Sequence, residues 1–383
     1  MKIVYVYPQL AHRAGTERIL IDKMNYLAEK EGYDIIMLTY EQANHEIAYP
    51  LSPKVRHVDL NVCFYPLYQY NRLTRFFKWK KKDQQLQRLF NAFMTLEHPD
   101  IVVSVTYFAE VLSLVVQCPV KFVKVLESHI GLRYILNNDS DNRKSLIRWL
   151  GTIQKKHLLI KNAKKCDVIV ALNKTDSDDW SRYLKSTIIP NMVHLNTSGL
   201  YSKHDSKRVI FAGRLCSQKA VFDLLKVWRL VNERHPDWQL DLYGEGEDKD
   251  RLMMEIAEMN ANVQIYPPTD DIFKQFIDSS IFVLTSLYEP FGLVIPEAMS
   301  CGLPVVSFEG DGPCSIISDG VDGFLIKDRS IEGFADRVCQ LIEDEDLRRR
   351  MGAAGVQSSQ RYSAENIMPL WKSLFDLLCS QEP

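Results

Sequence analysis

Short apolar runs alternate with longer amphipathic stretches along most of the chain. In the first half KIVYVY, DIIMLTY, DIVVSV, VKFVKVL and DVIVALN are runs of Val, Ile and Leu bounded by polar residues, which predicts buried strands. Glu17–Glu29 and the basic stretch from Arg72 carry helical periods between them. Strand then helix, repeated, predicts a doubly wound parallel α/β sheet. Ligands of such sheets bind outside the carboxyl ends of the strands. The rhythm stops at PNMVHLNTSGLYSKHDSKR, residues 190–208, which is polar with Gly and Ser and reads as a linker. It then resumes. RVIFAG, WQLDLYG, VQIYP, IFVLTS and VVSF are strands, Val221–Glu233 and Asp250–Met259 are helices between them, and Ile331–Cys379 is a helical, amphipathic tail. With 383 residues the chain is long enough for two domains with full cores. The expected division is 1–195, a linker at 196–208, and 209–361.

SLYEPFGLVIPEAMSCGLPVV, residues 286–306, is the stretch with the most chemistry in it. A helix is expected to start near Gly292, because Pro296 lacks an N–H and is tolerated only in a first turn. It should end near Cys301, before Gly302 and Pro304. The N–H groups of Phe291, Gly292 and Leu293 then point at an anion site at a strand's carboxyl end. Glu289 and Glu297 flank that site, and a carboxylate does not bind phosphate, so they accept from hydroxyls. A ligand with both phosphates and hydroxyl-bearing rings fits, a nucleotide sugar above all. The plain alternative is a surface loop with two solvated glutamates.

Seven residues separate Glu289 from Glu297, PFG (Pro290, Phe291, Gly292) follows the first, and EAMSCGLPVV begins at the second. This resembles the E-x7-E motif of family 4 retaining glycosyltransferases of the GT-B fold, and the resemblance extends over the whole chain. It implies two Rossmann-like domains facing a central cleft, with the last helix, about 362–383, crossing back to the first domain. VIFAGRLCSQKAVFDLL places Gly213, Arg214 and Lys219 after a strand, like the GRL-x3-KG signature that binds the donor diphosphate, with Ala220 where glycine is usual. Two cations offset the roughly two charges of a diphosphate, so no metal is expected at the leaving group. PQLAHRAGTERIL resembles the family's glycine loop at Gly15 and Thr16, with Ala14 in place of a second glycine. In LESHI, a histidine placed like His129 contacts the transferred sugar or the acceptor in the family, whereas a lone histidine at a strand end is more often a capped loop residue. Pro267 and Pro268 stand where relatives have a base-facing glycine, and Ser315 where a glutamate is common, so the base is left open between UDP and GDP. The implied roles are diphosphate for Arg214, Lys219 and the Phe291 and Gly292 amides, sugar hydroxyl for Glu289, and ribose for Glu297. Gly15 and His129 close the cleft from the first domain. The implied acceptor is a glycan or lipid-linked glycan. A nucleotide-sugar epimerase, a phosphorylase or an idle sugar-nucleotide sensor would share the fold.

Composition is ordinary for a globular protein, 46% hydrophobic and 25% charged, but the charge is unevenly placed. Residues 1–200 hold 28 Lys and Arg against 19 Asp and Glu, a net +9 that leaves −11 for the rest. Arg72, Arg75, Lys78, Lys80, Lys81, Lys82 and Arg88 surround Asp83 and interleave with Phe76, Phe77 and Trp79, and Arg143–Lys165 has eight basic residues and no acid. Basic faces with aromatics suit an anionic membrane surface, solvated helix faces being the plain alternative. No nucleic-acid motif accompanies the charge, so no nucleic-acid partner is expected. Eight scattered cysteines form neither a CxxC pair nor a zinc spacing. No cofactor is expected, and with no signal sequence or spanning run in the chain a cytoplasmic protein, peripheral on the inner face of the membrane, is. YGEGEDKD lacks the third small residue of a dinucleotide loop, and its acids would repel a pyrophosphate. Asp139-Ser140-Asp141 and Asp176-Ser177-Asp178 match a metal-binding DxD by chance spacing, the second reading as helix capping.

Overall fold

The computed structural model describes residues 1–137 and 146–380. The chain separates into two compact units, one formed by Met1–Pro190 with Met368–Pro383 and the other by Asn191–Ile367.

The first unit is built on a seven-stranded parallel sheet in the order β3-β2-β1-β4-β5-β6-β7. Its elements in chain order are β1 (Lys2–Val6), α1 (Gly15–Glu29), β2 (Asp34–Thr39), β3 (Val55–Asp59), α2 (Arg72–Glu97), β4 (Ile101–Val105), α3 (Ala109–Val116) and β5 (Val123–Ser128). There follow α4 (Leu132–Asn137), α5 (Leu146–Ala163), β6 (Val168–Ala171), α6 (Lys174–Trp180) and β7 (Ser186–Ile188). Ile3 pairs with Ile35 on one side and Ile101 on the other, so β1 is central and its apolar run is buried on both faces. Leu86, Phe90 and Met94 of α2 join Val4, Ile36 and Val102 in one core. Burying each such side chain contributes about 1.5–3 kcal/mol. Only the second half of α2 is held this way. Leu73, Phe76 and Phe77 in its first turns are exposed, in contrast to the buried residues farther along.

The second unit has a six-stranded parallel sheet in the order β10-β9-β8-β11-β12-β13. Here β8 (Arg208–Ala212), α7 (Val221–Arg234), β9 (Gln239–Tyr243), α8 (Lys249–Glu258), β10 (Val263–Tyr266), α9 (Ile272–Ile277) and β11 (Ile281–Leu284) lead into α10 (Val294–Ser300). After it come β12 (Val305–Phe308), α11 (Asp311–Ile316), β13 (Gly323–Ile326), α12 (Ile331–Glu343) and α13 (Glu345–Ser359), and then α14 (Ala364–Ser380), which from Met368 onward belongs to the first unit. The stretch before β8, expected as a linker, forms neither helix nor strand, but the second unit holds it. Asn196 N–H donates to Ser300 Oγ at 3.0 Å, Ser202 N–H to the Cys301 carbonyl at 2.9 Å, and Arg348 to the His204 carbonyl at 3.0 Å.

Three strands escape the apolar pattern, and each for a physical reason. β3 carries Arg56 and His57 at a sheet edge, and β7 is a three-residue edge strand with no fully buried residue. β13 opens on Gly323, where a Cβ would stand 2.4 Å from the Val305 carbonyl oxygen, so close backbone approach overrides strand propensity. No helix among the described residues is long and apolar enough to cross a membrane.

Candidate functional site

In the second sheet the chain reverses direction of winding between β8 and β11, which lie side by side with Phe282 opposite Ile210. The loops leaving these two strands therefore start from the same edge, the place where doubly wound sheets bind ligands. The first loop holds Gly213, Arg214 and Lys219; the second runs from Thr285 to Leu293. They are sewn together. Leu287 N–H donates to the Gln218 carbonyl at 2.8 Å, Gln218 Nε2 to the Tyr288 carbonyl at 2.9 Å, and Thr285 Oγ1 to the Lys219 and Ala220 carbonyls at 3.0 and 3.2 Å. Ala220 is held with φ +48°, a left-handed conformation that explains why a glycine suits this position.

Lys219 Nζ lies 2.5 Å from Glu289 Oε2, and Ser286 Oγ donates to the same oxygen at 3.1 Å. Both charged side chains are about seven-eighths buried, 13% and 12% exposed. Arg214 is exposed, and its contact among the described residues is a long one, 3.5 Å to Gln218 Oε1. Pro290 continues the loop, and Gly292 adopts φ +95°. α10 begins two residues later than expected, at Val294, with Pro296 still in its first turn. Among the described residues no acceptor meets the N–H groups of Phe291, Gly292 and Leu293. Glu297 is buried in the first turn of α10, and its main-chain carbonyl accepts from Ser300 Oγ at 2.7 Å. Two adjoining loops thus hold two cations, three available amides and the Glu289 carboxylate, and Glu297 follows in the helix that the second loop enters.

Several supporting residues carry no local signal in the sequence. Arg329, just before α12, donates to the Ser286 and Thr285 carbonyls at 3.0 Å each and to Asp223 Oδ2 at 2.9 Å, with its guanidinium 4.3 Å from the Phe308 ring centre. Burial would raise the Asp223 carboxyl, but the bonds and charges of Lys226 and Arg329 outweigh it and hold the group below its usual range. Gly312 packs under the motif. Its N–H reaches the Glu289 carbonyl at 3.0 Å, and a Cβ there would stand 2.3 Å from the Phe291 carbonyl oxygen. The GEG of YGEGEDKD does similar work for the other loop: Cβ atoms on Gly244 and Gly246 would stand 1.9 and 2.1 Å from the Gly213 and Leu215 carbonyl oxygens.

In the first unit Gly15 and Thr16 open α1 after β1, behind Ala14, and Tyr7 OH donates to Glu17 Oε1 at 3.2 Å. Burial first, then the Glu17 carboxylate, pushes the Tyr7 hydroxyl far above its ordinary value. His129 follows β5 and is buried, with Nε2 2.9 Å from Glu127 Oε2. The other carboxylate oxygen of Glu127 accepts from Lys23 Nζ, a fully buried lysine of α1 whose ammonium lies 3.9 Å from the ring centre of Trp371 in α14. Burial pulls Lys23 below the ordinary lysine value against the pull of Glu127. At Glu127 burial acts upward, but Lys23 and His129 overcome it, and the carboxyl is held below its usual range. Of these three only His129 is signalled by the sequence; a lysine inside an amphipathic helix reads as solvent-facing.

The aspartates of the second DxD have separate partners. Asp176 Oδ1 accepts from Leu132 N–H at 2.7 Å in the interior, while Asp178 pairs with Lys174 at 3.0 Å on the surface. Asp139 to Asp141, and the start of the basic stretch at Arg143, lie outside the described residues.

Residues 198–358 match the family model for group 1 glycosyl transferases. The chain is 28% identical over 380 residues to an uncharacterized glycosyltransferase of Haemophilus influenzae, covering 97% of this chain and 99% of that one. The second half of the chain is thus similar to group 1 glycosyl transferases, and the whole length to a protein named as a glycosyltransferase. Among solved structures, sucrose-phosphate synthase from Thermosynechococcus elongatus superposes with a TM-score of 0.79 at 17% identity, over 100% of both chains. A point mutant of S. aureus TarM, solved with fondaparinux, alpha-GlcNAc-glycerol and UDP, gives 0.77 at 16% identity, over 98% of this chain and 99% of that one. The chain has the GT-B fold, two parallel Rossmann-like sheets with their helices.

Proposed function

We propose that the chain is a retaining, family 4-type glycosyltransferase that moves a sugar from a nucleotide diphosphate sugar, UDP-linked in the first instance and GDP-linked in the second, to a glycan or lipid-linked glycan in cell-surface polysaccharide synthesis. The observation that carries this reading is the pairing of Lys219 with Glu289 across two bonded loops, the one after β8 that also holds Arg214 and the one after β11 that holds the Phe291, Gly292 and Leu293 amides, without an acceptor among the described residues, and leads into Glu297 in α10. Cations and amides take the diphosphate; the carboxylates take hydroxyls, ribose at Glu297 and sugar at Glu289. Lys219 links the two tasks. As a diphosphate draws its ammonium, the Glu289 carboxylate is released to accept from the sugar.

In the transfer, the bond from the anomeric carbon to the diphosphate oxygen breaks and the acceptor hydroxyl oxygen bonds to the same face of that carbon. Its proton passes to the departing phosphate oxygen. The same-face course rests on the family resemblance. Charge building on the leaving group is met by Arg214, Lys219 and the amides, so no metal is required. His129 contacts the sugar or the acceptor, and Gly15 and Thr16 a donor phosphate. The TarM mutant solved with UDP supports the uridine choice. A cytoplasmic enzyme held at the inner membrane face through Arg72, Arg75, Lys78, Lys80, Lys81 and Lys82 would meet a lipid-linked acceptor there.

A thermal-shift panel of UDP-, GDP- and ADP-sugars tests the donor class, since a ligand at a hundred times its dissociation constant stabilises by about 2.7 kcal/mol. UDP-sugars should give the largest shift, and transfer should persist in EDTA. Activity abolished by EDTA and restored by Mn²⁺ or Mg²⁺ would overturn the metal-free assignment.

A further inference from the structure

The interior of the first unit contains a hydrogen-bonded chain, Lys23 to Glu127 to His129, of which the transfer reaction as described uses only His129. Lys23 Nζ gives its hydrogen bond to Glu127 Oε1, and Glu127 Oε2 faces His129 Nε2 at 2.9 Å. An ionised carboxylate offers lone pairs only, so the ring nitrogen facing it carries the hydrogen. Among the described residues nothing bonds Nδ1, the other ring nitrogen, and Lys23 has no second acceptor. The Trp371 ring, 3.9 Å from the ammonium to the ring centre, and the Tyr5 ring at 5.4 Å also face Lys23. The ammonium is therefore committed to Glu127 and fixes which way that carboxylate is used.

We propose that Glu127 and Lys23 are positioning residues for His129: they hold the imidazole as the Nε2–H tautomer and leave Nδ1 as a hydrogen-bond acceptor for a hydroxyl of the sugar or acceptor. The second half of this statement rests on the reading of His129 as a substrate contact. The carboxylate is two acceptors shared between two donors, and no neutral side chain of the same shape reproduces that. In Glu127→Gln the amide has one acceptor and one donor end. Lys23 takes the carbonyl, since an ammonium has only hydrogens to offer. The amide NH₂ then faces His129, which can answer only by turning Nε2 into an acceptor and moving its hydrogen to Nδ1. A substitution of near-identical volume thus inverts the tautomer and converts the substrate-facing nitrogen from acceptor to donor.

The test is ring ¹⁵N spectroscopy of the full-length protein labelled at histidine, with His129 assigned by its disappearance in His129→Asn. Wild type should give the Nε2–H pattern and Glu127→Gln the Nδ1–H pattern. Lys23→Met/Glu127→Gln, which removes the charge left unpaired by the single change, should lose the enforced inversion and show a mixture. Turnover in Glu127→Gln should fall at least tenfold, by the same factor as in His129→Asn, and the two changes together should cost no more than either. An Nδ1–H pattern in wild type overturns the proposal even if no variant folds. So does an unchanged pattern in Glu127→Gln, or full activity there beside a loss in His129→Asn. Full activity in His129→Asn removes the substrate contact at His129, and the tautomer patterns alone then decide the role of Glu127 and Lys23.

Discussion

Lys219 and Glu289 meet at 2.5 Å in a largely buried place, and this pairing sets different costs for similar changes. On the proposed reading Arg214→Ala removes an exposed cation whose contact with the leaving group strengthens as charge develops, so kcat should drop roughly a hundred- to a thousandfold. Lys219→Ala should cost that and raise donor KM as well, because the Glu289 carboxylate is left without its partner beside the diphosphate. Glu289→Gln should weaken a UDP-sugar yet leave UDP binding equal or tighter, since Lys219 is then free for phosphate, whereas Glu297→Gln should weaken both alike. Calorimetry with the two ligands separates the roles, and equal loss of UDP affinity in both variants would refute the division. A second residue-scale expectation concerns acid. His204 is buried with Nδ1 unpartnered, and burial, helped by Arg348 and Arg349 against a Ser280 backbone bond and Glu345, lowers it to about 4. Its unfolded value is about 6.5, so between those two values the unfolded chain binds the proton first and stability falls as pH falls, by at most about 3 kcal/mol. His204→Asn keeps a residue that tolerates the observed φ of +59° and cannot titrate. Urea midpoints at pH 7 and pH 4.5 should diverge less in the variant than in wild type; an equal fall in both would remove His204 from the acid response.

Among the elements, α2 is two things in sequence. Its second half is core, through Leu86, Phe90 and Met94, while its first turns present Leu73, Phe76 and Phe77 to solvent among Arg72, Arg75, Lys78, Lys80, Lys81 and Lys82. Trp79 packs against Phe64, ring centres 4.7 Å apart, and is less exposed than Leu73, Phe76 and Phe77, so those three make up most of the exposed apolar face. Each Lys or Arg near an anionic surface contributes about 1 kcal/mol at most, screened by salt. Lys80→Ser/Lys81→Ser/Lys82→Ser should therefore weaken sedimentation with anionic vesicles, and Phe76→Ser/Phe77→Ser should weaken it without changing its salt dependence. Equal binding to neutral and anionic vesicles would dismiss the electrostatic part. This division of α2 was half legible in the sequence: the charge run was plain, but which turns are covered depends on strands far away in the chain. The same holds elsewhere. α10 could be bounded within two residues from Pro296 and Gly302, because caps are local, whereas β13, opened by a glycine that packing demands, carried no strand signal.

At the scale of the whole chain, net charge −2 conceals a first 200 residues at +9 and a remainder at −11. Arg214 and Lys219, the cations proposed for the diphosphate, lie in the acidic part, so on that reading a donor is held by a few placed groups there and not by a general field. The alternation of strands and the E-x7-E spacing were enough to read the two sheets and to single out the two loops after β8 and β11. What the sequence could not disclose were the groups that brace them across long separations, Arg329 on the Thr285 and Ser286 carbonyls and Lys23 on Glu127, because a charge's partner is a matter of tertiary contact. Ligand protection should follow the same division between loops and interior. The amides of Phe291, Gly292 and Leu293 have no acceptor among the described residues, so they exchange with solvent readily until a phosphate oxygen takes them. Hydrogen exchange of the full chain with saturating UDP should slow at residues 287–295 and 213–220 and, more weakly, at 310–314, where Gly312 supports the motif. Residues 123–130, holding Glu127 and His129, should keep their rates with UDP and slow only when a UDP-sugar is supplied. Protection by UDP confined to the first unit, or spread evenly over both, would mean that the loops after β8 and β11 are not where the diphosphate is held.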